Sequence, residues 1–140
     1  MKKKLALLLI LALILTAFAG CGGGRSEEES SGSGEPFKVG AIYPMSGANA
    51  LLGSQTLAAV KIAVDMVNES GGVQGRQVEL VEADAPDPTA ATTEASRLVD
   101  QQGVQVIFGS LASGNALAIA GVTEKSGVTL VESGGIADAL

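Results

Sequence analysis

From Phe37 to Val131 the hydrophobic residues switch repeatedly between the two-residue spacing of a strand and the three-to-four-residue spacing of a helix. No other feature restricts the fold as much. A chain that alternates in this way, with loops of only a few residues, closes into a parallel sheet with helices on both faces. Phe37 to Tyr43 (FKVGAIY) is rich in strand-favouring residues and is closed by Pro44 and the Ser46-Gly47 turn. Leu52 to Asn68 sets Leu57, Val60, Val64 and Val67 on one face of a predicted helix, which Ser70-Gly71-Gly72 ends with a left-handed cap. Gln77 to Glu82 alternates as a second strand. Asp87 is placed to cap, and Pro88 to open, a helix running to about Gln102 with Ala91, Ala95, Leu98 and Val99 facing inward. Val104 to Phe108 is almost unbroken in its apolar character, which predicts a strand covered on both faces. A third helix over about Asn115 to Lys125 and a fourth strand over Val128 to Val131 complete the pattern. The predicted class is α/β, a doubly wound parallel sheet. The alternation stops in mid-architecture, so a truncated domain is expected.

The N-terminus has a different character. Lys2, Lys3 and Lys4 precede an apolar run from Leu5 to Ala19, the form of a secretory signal. As a helix that run would reach only about 22 Å, short of the roughly 30 Å needed to cross a bilayer. It ends in Ala17-Phe18-Ala19-Gly20-Cys21, which resembles the lipobox of bacterial lipoproteins, with Phe18 where that motif usually has leucine. The resemblance implies a signal peptide over 1–20 and acylation of Cys21, the chain's single cysteine. A lone cysteine also excludes an intrachain disulfide. Residues 21–36 are expected to form a flexible acidic linker, since GGGRSEEESSGSGE (Gly22 to Glu35) holds no apolar side chain that could repay the entropy of ordering. Residues 37–140 then make up the globular part.

Charge and composition exclude several functions. The chain has 9 basic and 15 acidic residues, and without Lys2 to Lys4 the balance is 6 minus 15, or −9. Such a surface repels phosphate backbones, which argues against nucleic-acid binding. There is no histidine, no cysteine pair, no GxSxG elbow and no Walker A sequence, so no catalytic residues, metal ligands or cofactor are assigned. The glycines of Gly71-Gly72-Val73-Gln74-Gly75 lie between a helix and the next strand, the wrong place for a dinucleotide fingerprint. Asp84 and Asp87 are read as capping groups rather than a cation site.

In an open parallel sheet, ligands bind beyond the carboxyl ends of the strands. Three small polar loops stand there: Pro44 to Gly53, Gly109 to Ser113, and Glu132 to Asp138. Amides at a helix start, backed by the helix dipole, can seat a carboxylate or other anion. Ser113 could offer its hydroxyl to a ligand or simply cap the third helix. Ser133, Gly134 and Gly135 could contact a ligand or form a plain turn.

The run GAIYPMSGANALLGSQTLAAVKIAVDMVNESGGVQGRQVELVEADAPDP (Gly40 to Pro88), with VIFGSLAS (Val106 to Ser113) and SGVTLVESGGIADAL (Ser126 to Leu140), resembles branched-chain amino-acid-type solute-binding proteins of ABC transporters. These have the type I periplasmic-binding fold. The resemblance covers essentially all of Phe37 to Leu140. It implies most of the first lobe of a two-lobe protein that closes on a solute, and a role as an extracytoplasmic, lipid-anchored binding protein of an importer rather than an enzyme. The implied partners are an amino acid or related small solute, a transporter permease, and the membrane through Cys21. An extracellular sensor domain of a receptor with the same fold is the alternative. Carried over by position, ligand contacts would come from Leu52, Ala112, Ser113, Gly134 and Ile136. Leu52 stands where amino-acid binders often have an aromatic residue, and Ile136 where they usually have a hydroxyl that holds the ligand's carboxylate. Both departures argue against a leucine-like solute.

Overall fold

The computed structural model describes residues 34–135. Cys21, the expected signal peptide, all but the last three residues of the expected linker, and Ile136 lie outside them. The order is β1 (Phe37–Tyr43), α1 (Ala50–Glu69), β2 (Val78–Asp84), α2 (Pro88–Arg97) prolonged by a π-helical turn (Leu98–Gln102), β3 (Val106–Phe108), α3 (Ser113–Ser126) and β4 (Thr129–Val131). All strand pairs are parallel, in the spatial order β2-β1-β3-β4. Every expected element is present, with ends displaced by a few residues.

Local chemistry accounts for most of the boundaries. Asp87 accepts the Ala90 amide at 2.9 Å, the cap expected of it, and Pro88 fills the first turn of α2. Helical structure reaches Gln102 as predicted, but its last turn is wider. The Gly103 amide bonds back to the Leu98 carbonyl before the chain turns at left-handed Gly103. After α1, Gly71 and Gly72 both take positive φ, and a second tight turn follows at Gln74-Gly75. The reciprocal Val73–Arg76 bonds and positive φ at both central residues make it a hairpin turn. This confirms GGVQGR as a helix-to-strand connector. Arg76 then donates to the carbonyls of Glu35 (2.7 Å) and Pro36 (3.0 Å) and lies over the Phe37 ring, fixing the chain where it enters β1. Asn68 closes the other side, accepting the Val78 amide and donating to the Val78 carbonyl at the start of β2.

Alternation along β1 divides the core between the two faces of the sheet. Ile42 points to the α2/α3 side with Ala91, Ala95, Leu98, Ile107 and Ile119, all fully buried. Burying each of the large aliphatic side chains contributes roughly 1.5–3 kcal/mol. Gly40 admits Leu98, whose methyl lies 2.8 Å from where a Cβ would stand. Ala41 and Tyr43 point to the α1 side and meet Leu57. The α1 face is covered less fully than the apolar spacing predicts: Val60 and Val64 are half-buried and Val67 is 38% exposed. An apolar trough of about 250 Å³, lined by Val60, Val64, Val67, Val106 and Phe108 among others, runs beside the helix. The expectation that Val104 to Phe108 is covered on both faces is therefore corrected. Ile107 is buried beneath α2 and α3, whereas Val106 and Phe108 border the trough, because α1 packs mainly on β1 and β2.

Candidate functional site

The strand order decides where a ligand can enter. The chain leaves β1 for β2 on one side and returns to place β3 on the other, so the switch point lies between β1 and β3. In open parallel sheets the loops diverge at such a point and leave a crevice at the carboxyl ends, which is where a ligand is expected here. The loops after β1, β3 and β4 meet at that end.

Tyr43, the last residue of β1, bonds through its hydroxyl to Ser133 Oγ at 3.1 Å, tying β1 to the loop after β4. Burial pushes the Tyr43 phenol up from its ordinary range, the nearby Glu132 carboxylate adds to this, and the Ser133 hydrogen bond works against it. Asp84, ending β2, accepts the amides of Met45 (2.7 Å) and Ser46 (3.2 Å) and so holds the loop after β1. Hydrogen bonding from Ser46, with the Met45 amide adding to it, keeps the Asp84 carboxyl below the usual carboxylate range. The expectation that Asp84 is a cap is corrected: it bridges two loops. Pro44 and Gly53 are in close contact, the Pro44 carbonyl filling the space a Gly53 side chain would need, so the first turn of α1 rests on the end of β1.

The ladder between β3 and β4 continues one step past the strands, with the Gly109 amide bonded to the Val131 carbonyl at 3.1 Å. Beyond it, Gly134 sits on Leu111, whose Cα is 3.2 Å from where a Gly134 Cβ would stand. The Glu132 carboxylate folds back over its own loop, one oxygen accepting both the Gly134 (2.8 Å) and Gly135 (2.6 Å) amides. Its other oxygen is buried without a hydrogen-bond partner among the described residues, as is the hydroxyl of fully buried Ser110. On α3, buried Asn115 donates to the Ala85 carbonyl at 2.7 Å and sets the start of that helix against the end of β2.

Four of the five positions carried over from the resemblance are described. Ala112 and Ser113 stand at the start of α3, at the carboxyl end of the sheet, and Gly134 is seated on the neighbouring Leu111. Ser113 is not the cap: it is the first helical residue, and the cap position falls to Ala112, whose methyl cannot accept an amide. Leu52 is not in a loop. It lies in the first turn of α1, which begins at Ala50, and its side chain is 55% exposed. Ile136 lies outside the described residues. Tyr43, Ser110, Asn115 and Glu132 were not singled out from the sequence. The one available signal was an acidic residue directly after a strand and two before a Gly-Gly pair. Among the described residues, no three His, Cys, Asp or Glu side chains stand together as a metal site. What the arrangement offers a small polar molecule is hydrogen bonds and a helix N-terminus.

Residues 36–139 match the periplasmic binding protein family. The chain belongs to that family. It is 46% identical over 101 residues, 72% of its length, to Leu/Ile/Val-binding protein homolog 7 of Brucella abortus (strain 2308), and covers 25% of that protein. It thus spans about a quarter of the length of the curated relatives it matches. The branched-chain amino acid transporter substrate binding protein LivJ of Streptococcus pneumoniae, solved with isoleucine, superposes with a TM-score of 0.71 at 30% identity, covering 74% of this chain and 30% of that one. A solute binding protein of an ABC transporter from Rhodopseudomonas palustris BisB5, solved with 3,4-dihydroxy benzoic acid, gives a TM-score of 0.66 at 29% identity, covering 71% and 27%. The sheet is that of the type I periplasmic-binding proteins, as the sequence led us to expect.

Proposed function

We propose that residues 37–140 form most of the first lobe of a lipid-anchored, extracytoplasmic solute-binding protein of an ABC importer, which captures an amino acid or related small polar solute between two lobes and delivers it to a permease. The convergence of the loops after β1, β3 and β4 at one end of the sheet, with Tyr43 bonded to Ser133 and Gly134 seated on Leu111 beside Ala112 and Ser113, is the observation that supports this reading. Membership of the periplasmic binding protein family and the solutes seen in its relatives support it. Cys21 would hold the mature protein at the membrane, and residues 21–36 would give it reach.

A thermal-shift screen of the mature protein against amino acids, amides, short-chain acids, aromatic acids and sugars tests the proposal. A solute present at a hundredfold excess over its Kd adds about 2.7 kcal/mol to stability. One solute class is expected to raise the Tm, and Ser113→Ala to diminish that shift. Cys21→Ser is expected to move the protein from the membrane fraction to the soluble extracytoplasmic one. A flat screen would refute solute capture, and unchanged membrane association of Cys21→Ser would refute the anchor.

A further inference from the structure

Glu132 directly follows β4, at the carboxyl end of the sheet where a solute is expected to enter. Consecutive loop amides such as those of Gly134 and Gly135 form a concavity that suits an anion. Here the anion is supplied by the chain itself: one Glu132 oxygen takes both amides, at 2.8 and 2.6 Å. A carboxylate bonded to amides is a strong, charge-assisted partner, and a solute would have to displace it to use those donors. The other Glu132 oxygen and the Ser110 hydroxyl, both buried and without partners among the described residues, leave further acceptor capacity in the same pair of adjoining loops. The loop is held in place from two sides, by the Tyr43–Ser133 hydrogen bond and by the seating of Gly134 on Leu111. The loop that carries Glu132 is thereby fixed at the carboxyl end of the sheet.

We propose that Glu132 sets the solute class of this protein: the wall after β4 accepts a group that donates N–H, an ammonium or a primary amide, and excludes a carboxylate. The inference rests on the solute-binding reading above and narrows it. It acts through two effects, the occupation of the Gly134 and Gly135 amides and like-charge repulsion of an incoming carboxylate. Glu132 is thus a positioning and selecting residue, and the solute that fits bears a nitrogen donor; a simple carboxylic acid is rejected.

The test is calorimetric titration of the mature protein with four probes of different charge: leucinamide, 4-methylpentanamide, 4-methylpentanoate and benzoate. Circular dichroism checks that each variant is folded. The nitrogen-bearing probes are expected to bind and the two acids to be rejected by at least tenfold. Glu132→Gln keeps an oxygen for the amides while removing the charge, and is expected to erase most of that preference. Glu132→Ala frees both amides and is expected to let the acids gain affinity by tenfold or more. A change of preferred class is something a merely structural residue would not produce. Binding of the acids by the unaltered protein as tightly as the nitrogen-bearing probes would overturn the assignment of Glu132 and leave solute capture standing. The same holds for a class preference untouched in both variants. Absence of binding by any probe or by the wider solute screen would overturn both.

Discussion

Asn115 gives the sharpest test of how the crevice is held. It is the third residue of α3 and only 3% exposed, and its amide donates to the carbonyl of fully buried Ala85 at 2.7 Å. Asn115→Ala leaves that carbonyl buried without its donor, which costs about 1–3 kcal/mol. Asn115→Asp is nearly isosteric but places acceptor against acceptor. At neutral pH it must bury an uncompensated charge, at a cost of about 3–5 kcal/mol. The aspartate variant should therefore be the less stable of the two despite its closer shape. Its folded-state pKa would be raised, so its stability is fully present below the unfolded value of about 3.9 and is lost as pH rises through the folded one. Acidification should accordingly narrow the gap between Asn115→Asp and Asn115→Ala, because a protonated carboxyl can donate to Ala85 again. Urea unfolding of the mature protein, followed by far-ultraviolet circular dichroism because the chain contains no tryptophan, measures both effects at several pH values. Equal destabilisation by the two variants, with no dependence on pH, would refute the role given to the Asn115 amide.

Two further predictions concern the loop after β1. Gly53→Ala drives a methyl into the Pro44 carbonyl and should cost at least the roughly 1–3 kcal/mol typical of overpacking; a change within about 0.5 kcal/mol of the parent would show that α1 can shift freely. The depressed Asp84 pKa means that its contribution is present above its unfolded value of 3.8 and is lost as pH falls through the folded one. Asp84→Asn should remove that part of the acid sensitivity, and identical acid profiles for parent and variant would count against the Asp84 bridge to Met45 and Ser46.

Much of the architecture was legible in the chain because its signals are local. Apolar spacing located four strands and three helices, Asp87-Pro88 located the start of α2, and Gly71-Gly72 located the end of α1. Each depends on residues within a turn or two of one another, where sterics and capping act without help from the rest of the fold. The class followed from their order, and the family likeness from the residues of particular runs such as Gly40 to Pro88. The sequence was less informative where an element depends on distant partners. Ser113 looked like a cap, yet the chain enters α3 one residue earlier, with Asn115 holding the helix against β2. Val67 has the spacing of a core residue but remains 38% exposed, because spacing defines a face and not what covers it. Tyr43 read only as a strand residue, and Glu132 only as a charge after one. Their roles arise because parallel pairing brings chain positions ninety residues apart together at one end of the sheet, as in the Tyr43–Ser133 bond. Hydrophobic period and capping chemistry thus determined which elements form and in what order, while long-range strand pairing decided which loops meet and which polar groups face the crevice.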